Sequence, residues 1–169
     1  IQQARNFSHR KLLEGLVVAA GLGAIAFSRT HASGAAGCVG ETGICTAMAA
    51  GALVWMAGGD GLQVEHAASL ALQANEGIPC DPIPGGKEFP CITRTLRAAV
   101  TAPLYADLAL SGIDPLIPYD QVLDAIERTY QSTPSDMLRG PSCGVNCTLA
   151  AQGCMLALSG NLMKGYLKY

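Results

Sequence analysis

The stretch GIPCDPIPGGKEFPC, residues 77–91, constrains this chain more than any other segment. Four prolines and three glycines in that span forbid a regular helix there. On either side the apolar residues follow helical spacing, and no run alternates as a half-buried strand would. The pattern predicts an all-α, Ala/Gly-rich helical domain interrupted by one Pro/Gly loop that carries function, because long loops in compact domains usually do.

Turn and cap residues divide the rest. Asn6 or Ser8 can cap a first helix running to about residue 30. A second is expected over 40–57, stopped by Gly58-Gly59, and a third over 62–75, with Val64, Ala67, Ala68, Leu70 and Ala71 on one face and Gly77 closing it. A fourth should start near Cys91 and run to about 111, kinked at Pro103. Residues 119–131 form an amphipathic helix with Val122, Leu123, Ile126 and Tyr130 on one face, and an Asp124–Arg128 pair at i, i+4. Residues 134–141 read as a loop and 143–166 as a last helix. The whole, 1–169, is expected to be a single helical domain.

With 50% hydrophobic and only 14% charged residues, the chain has little polar material to coat itself, which predicts an apolar outer surface that meets a partner. Eleven scattered Lys and Arg and a net charge of −2 leave no basic stripe for nucleic acid. Residues 43–59 are uncharged and nearly long enough to span a bilayer, but Gly, Ala and Thr dilute them and no Lys/Arg cluster flanks them. That stretch and 16–27 are read as buried helices of a soluble, non-membrane protein. The opening IQQARNFSHRK has no apolar signal core, and it reads as part of something longer.

The seven cysteines are Cys38, Cys45, Cys80, Cys91, Cys143, Cys147 and Cys154. An odd count and no CxxC pair argue against a disulfide scaffold or a zinc ribbon. Cys80 and Cys91 each follow a proline that fixes the backbone before the thiol. Cys38 stands at a helix start, where thiolate is favoured. Three thiols in rigid settings suit a metal or an iron–sulfur centre; small buried apolar residues would look the same.

Here the chain resembles a known family. GCVGETG at 37–43, PCDPIPG at 79–85 and PCITR at 90–94, in that order, are similar to the alpha region of the iron–sulfur-dependent L-serine dehydratases. AMAAGAL at 47–53 and DQVLDAIERTY at 120–130 agree as flanks, so the resemblance covers about 11–130 and makes this the C-terminal part of that region. It implies that Cys38, Cys80 and Cys91 hold a 4Fe–4S cluster; Cys45, about two helical turns past Cys38, would lie roughly 10 Å along a regular helix and too far to join it. It implies a cytoplasmic carbon–nitrogen lyase that converts L-serine to pyruvate and ammonia, an open cluster iron acting as Lewis acid on the hydroxyl. Thr95 departs from an expected Asn, Lys87 and Glu88 stand in a usually more apolar stretch, and the tail PSCGVNCTLAAQGC differs from the family ending. Alternatives are a cluster-dependent lyase on another amino acid, as in cysteine desulfidation, or a non-catalytic partner subunit. The expected partners are a small amino-acid substrate and further protein: a second copy, a beta region or an upstream alpha segment.

Secondary candidates follow from spacing. Glu41, three residues after Cys38, can act as a base, as a hydrogen-bond acceptor behind the ligands, or as a helix-start charge. Arg94, three after Cys91, can pair with a substrate carboxylate or clamp the loop. Asp81 is read as capping the Asp-Pro turn. His31 and His66 are read as surface or packing residues. Cys143, Cys147 and Cys154 would share one face of the last helix, as a packing face, a fourth ligand, or a redox or second metal site.

Overall fold

A computed structural model of the chain describes residues 6–83, 89–138 and 144–160, with the backbone alone at 136, 138 and 155–160. Helix α1 spans His9–Arg29, α2 Ile44–Met56, α3 Gly61–Gln73, α4 Cys91–Leu110 and α5 Tyr119–Ser132. Two short pieces follow, α6 at Ser135–Leu138 and α7 at Leu149–Gly160. A single 3-10 turn at Gly34–Ala36 and a π-helical turn at Val39–Gly43 lead into α2, and a second 3-10 turn at Gly144–Cys147 precedes α7. No β-strand occurs among the described residues, so the all-α expectation holds.

The starts and stops follow local chemistry. Ser8 caps α1, its hydroxyl accepting from the Lys11 amide at 3.2 Å. Asp60 and Gln63 form a reciprocal capping box at the start of α3. Pro118 precedes α5 and supplies no cap, but the Glu65 carboxylate reaches over from α3 to accept from the Tyr119 amide. Gly77, at φ +74°, turns the chain away after α3 into the Pro/Gly segment.

The core is built on small side chains. Helix α2 lies against α1, α3 and α4, while α5 crosses α1 and α3. Ala47, Ala50, Ala67, Ala68, Ala71, Ala102, Ala106 and Ala109 are all buried at their contacts. Gly51 lets α1 come close: a Cβ there would lie 2.5 Å from Leu22 Cδ1. Leu72, Leu123, Ile126 and Val54 fill the remaining volume. Trp55 is half-buried, with its ring nitrogen donating to Glu14 at 3.4 Å.

Several expectations fail, each for a tertiary reason. Helix α1 is not buried: only Gly15, Leu22, Gly23 and Ala26 are, because α2 and α5 cover one side and leave Leu13, Leu16, Val17 and Phe27 exposed. His9–Arg29 and Val39–Met56 are both long and apolar enough to cross a membrane; 61% of the second span is buried inside the fold, against 22% of the first. Leu70 is only half-buried, and Leu72 takes the deep position on α3. Asp124 pairs not with Arg128 but with Arg29 of α1, through two contacts of 2.9 Å. The loop expected over 134–141 contains α6. The last helix is broken, with Cys147 in the 3-10 turn and Cys154 in α7, both exposed, so they share no packing face. Cys143, Lys87, Glu88 and residues 161–169 lie outside the described residues.

Candidate functional site

Three segments meet where the Pro/Gly stretch returns to the bundle. The first is the turn carrying Cys38, which occupies the position before the π-helical turn Val39–Gly43. The second is the segment Ile78–Asp81, and the third is the start of α4 at Cys91. Glycines allow the first two to touch. Gly37 has φ +91° and ψ 178°, a region open almost only to glycine. A Cβ on it would lie 2.5 Å from the Ile78 carbonyl oxygen. A Cβ on Gly40 would lie 2.3 Å from Ser33 O and 2.7 Å from His31 O.

Arg94, one turn into α4, ties the three together. Its Nη1 donates to the Asp81 carboxylate, to Pro79 O at 2.9 Å and to Cys38 Sγ at 3.3 Å. Burial alone would lower the guanidinium pKa, but the bonds to Asp81 and Cys38 outweigh it and hold the pKa above its ordinary value. The geometry at Nη1 is therefore that of a loop clamp.

Cys38 and Cys80 are buried and Cys91 is half-buried. The point where a Cβ on Gly34 would sit is 3.2 Å from Cys80 Sγ and 2.9 Å from Glu41 Oε1, so the carboxylate and the Cys80 sulfur flank the same glycine. Burial pushes the Cys91 thiol pKa up; Cys38 and Glu41 nearby add to this, while Arg94 opposes it. Cys38, Cys80, Cys91, Glu41 and Arg94 thus belong to one neighbourhood. Cys45 is exposed on α2. Among the described residues no three His, Cys, Asp or Glu side chains close around a single-ion site.

Asp81 corrects a local reading. It is not a turn cap: its side chain is 1% exposed, with one oxygen on Arg94 and the other accepting from the Val145 amide at 2.7 Å. Aspartate before proline signals a turn by a short-range rule, and that rule is blind to an arginine 13 residues on and an amide 64 residues on. His31 behaves as a packing residue, its Nδ1 3.0 Å from Glu127 and its ring 4.5 Å from that of Tyr130. His66 lies 3.9 Å from Glu65. A cavity of about 330 Å³, lined by Val39, Ile78, Pro79, Ile126 and Met137, abuts the same loop, with no cysteine among its described lining residues.

The family description "Serine dehydratase alpha chain" matches residues 1–146. The chain belongs to the serine dehydratase alpha-chain family. It is 34% identical over 149 residues to the probable L-serine dehydratase alpha chain of Bacillus subtilis (strain 168), covering 88% of this chain and 50% of that one. With the L-serine dehydratase alpha chain of Peptoniphilus asaccharolyticus it shares 38% identity over 122 residues, 72% of this chain and 42% of the other. L-serine dehydratase 2 of Escherichia coli (strain K12) is 35% identical over 127 residues, 74% of this chain and 28% of that protein. The chain spans half or less of the length of these curated relatives. The family match ends at Asn146, one residue beyond the Val145 amide that Asp81 holds.

Proposed function

We propose that Cys38, Cys80 and Cys91 are the ligands of a 4Fe–4S cluster, and that the protein they serve deaminates L-serine to pyruvate and ammonia. The observation that carries this is the gathering at Arg94: one guanidinium nitrogen joins the Cys38 sulfur to the Pro79–Asp81 segment, and Cys91 opens the same helix. The donor set fits such a group. It offers three thiols from three separate segments, two of them buried, and thiolate is the usual ligand of iron–sulfur clusters. Ligands of a cluster bind different irons, so their sulfurs need not converge on one point as single-ion ligands must.

A cluster held by three protein sulfurs supplies a Lewis acid for the departure of hydroxide, a poor leaving group. The chain's own residues shape and hold the space around it. Gly34 keeps a side chain out of the space beside the Cys80 sulfur, while Gly37 and Gly40 let the backbone segments of the site close on one another. Asp81 and Arg94 fix the Cys80 segment against the Cys38 turn. Glu41 brings a carboxylate beside Cys80, in a position either to accept a proton from a substrate bound there or to hold it by hydrogen bonding.

Association with further protein belongs to the same proposal. Ile92, Leu96, Val100 and Leu104 recur every four residues along α4 and are exposed, forming an apolar stripe that begins beside Cys91.

The test is anaerobic reconstitution of the intact protein with each cysteine changed to Ala in turn. Iron, sulfide and pyruvate formation are measured, and the oligomer is sized on the same samples. Loss of iron and turnover in Cys38→Ala, Cys80→Ala and Cys91→Ala, with Cys45→Ala spared, is the expected pattern. Full iron in Cys80→Ala would sink the assignment.

A further inference from the structure

Arg94 does more than close a loop. Its side chain is 18% exposed, and the Asp81 carboxylate that holds it is 1% exposed. Asp81 cannot swing away, because its second oxygen accepts from the Val145 amide at 2.7 Å. Gly144, at φ +54°, leaves room for that oxygen, since a Cβ there would lie 2.0 Å from it. Nη1 carries two hydrogens and meets three acceptors, so a hydrogen is shared. The acceptor that is neither loop backbone nor counter-ion is the sulfur of Cys38, a residue 56 positions away in sequence.

From this geometry we infer that Arg94 is a positioning residue whose N–H bond to Cys38 Sγ sets the electron density on that ligand sulfur, and with it the reduction potential of the centre the three cysteines hold. The inference rests on the cluster reading. A charged donor on a ligand sulfur draws electron density off it and stabilises the more negative redox state, which raises the potential. The same withdrawal strengthens the centre as a Lewis acid toward a substrate oxygen. Asp81 acts one step further out: it fixes where the guanidinium stands.

The experiment compares wild type, Arg94→Gln and Arg94→Lys, each reconstituted anaerobically in the intact protein. Iron content, helicity by circular dichroism and the midpoint potential of the loaded cluster are measured. Glutamine is too short to reach the sulfur and carries no charge. Lysine keeps the charge but cannot reproduce the fork. The expected result is a folded, cluster-loading protein in both, with Arg94→Gln less stable because the buried Asp81 carboxylate loses its counter-ion, and with the potential of the loaded fraction lowered in Arg94→Gln and lowered by less in Arg94→Lys. A loaded Arg94→Gln cluster with an unshifted potential overturns the inference and leaves the cluster reading standing. Loss of iron or of helicity from both variants also overturns it, since Arg94 would then be needed to build the site rather than to tune it. Wild-type protein that takes up no iron would remove the cluster reading itself.

Discussion

Changing Gly37 to Ala should damage this protein at one point, and the damage can be sized from the backbone. Gly37 sits immediately before Cys38 at φ +91° and ψ 178°. An L-residue held there costs about 1–3 kcal/mol. Separately, the new Cβ would lie 2.5 Å from the Ile78 carbonyl oxygen, and backbone cannot rotate away as a flexible side chain can. Overpacking of this kind costs typically about 1–3 kcal/mol more. The two together predict a loss of about 2–6 kcal/mol, a large share of the stability of any single domain. Gly21 is the control. It lies mid-helix in α1, exposed, with nothing within 4 Å of an added Cβ. Gly21→Ala should therefore stabilise by about 0.5–1 kcal/mol through helix propensity and reduced unfolded-state entropy. Urea unfolding followed by circular dichroism measures both. Gly37→Ala should also lower iron uptake on reconstitution, because the turn it distorts presents Cys38. A Gly37→Ala midpoint equal to wild type, or two substitutions with the same sign, would refute the reasoning.

Asp81→Ala leaves the half-buried Arg94 guanidinium without its counter-ion and frees the Val145 amide, so it should cost up to about 3–5 kcal/mol in chemical denaturation, and hydrogen exchange at Val145 should accelerate. Burial would raise the Glu127 pKa, but bonds from His31, Gln131 and Thr30 outweigh it and hold this carboxyl below its ordinary range. A depressed folded pKa stabilises above the unfolded value and ceases to as pH falls through the folded one. The Tm gap between wild type and Glu127→Gln should accordingly be full at neutral pH and close below the ordinary carboxylate range; a gap that stays constant there would contradict the assignment.

Helix positions were legible because local signals sufficed. Ser8, Gly58 and the prolines around Cys91 start or stop the chain through their own backbone chemistry, and the structure follows them within a residue or two, while α3 ends at Gln73, four residues before Gly77. Which faces are covered was not legible in the same way. The apolar period of α1 calls for burial on more sides than its neighbours supply, so Val17 and Phe27 are left exposed. The i, i+4 rule paired Asp124 with Arg128, whereas the crossing of α1 over α5 brings in Arg29. A one-helix rule cannot weigh a partner 95 residues away.

The site divides along the same line. Cys80 and Cys91 are conspicuous because proline precedes each, and Cys38 because it opens a helical turn among glycines. These are local features, and they point to the thiols without showing that the thiols meet. Arg94 and Asp81 bring them together, and neither carries a local mark of that role. Asp81 next to a proline imitates a turn residue, and Arg94 at i+3 from Cys91 imitates a free cation on a helix face. Their meaning comes from the return of the Pro/Gly segment onto α4, which buries a carboxylate against a guanidinium and leaves a donor facing the Cys38 sulfur. Desolvation of that pair is costly unless both partners are satisfied, and here Pro79 O, Val145 N and Cys38 Sγ complete the set. A buried ion pair that spends its remaining contact on a sulfur gains less stability than an apolar pair of the same volume could.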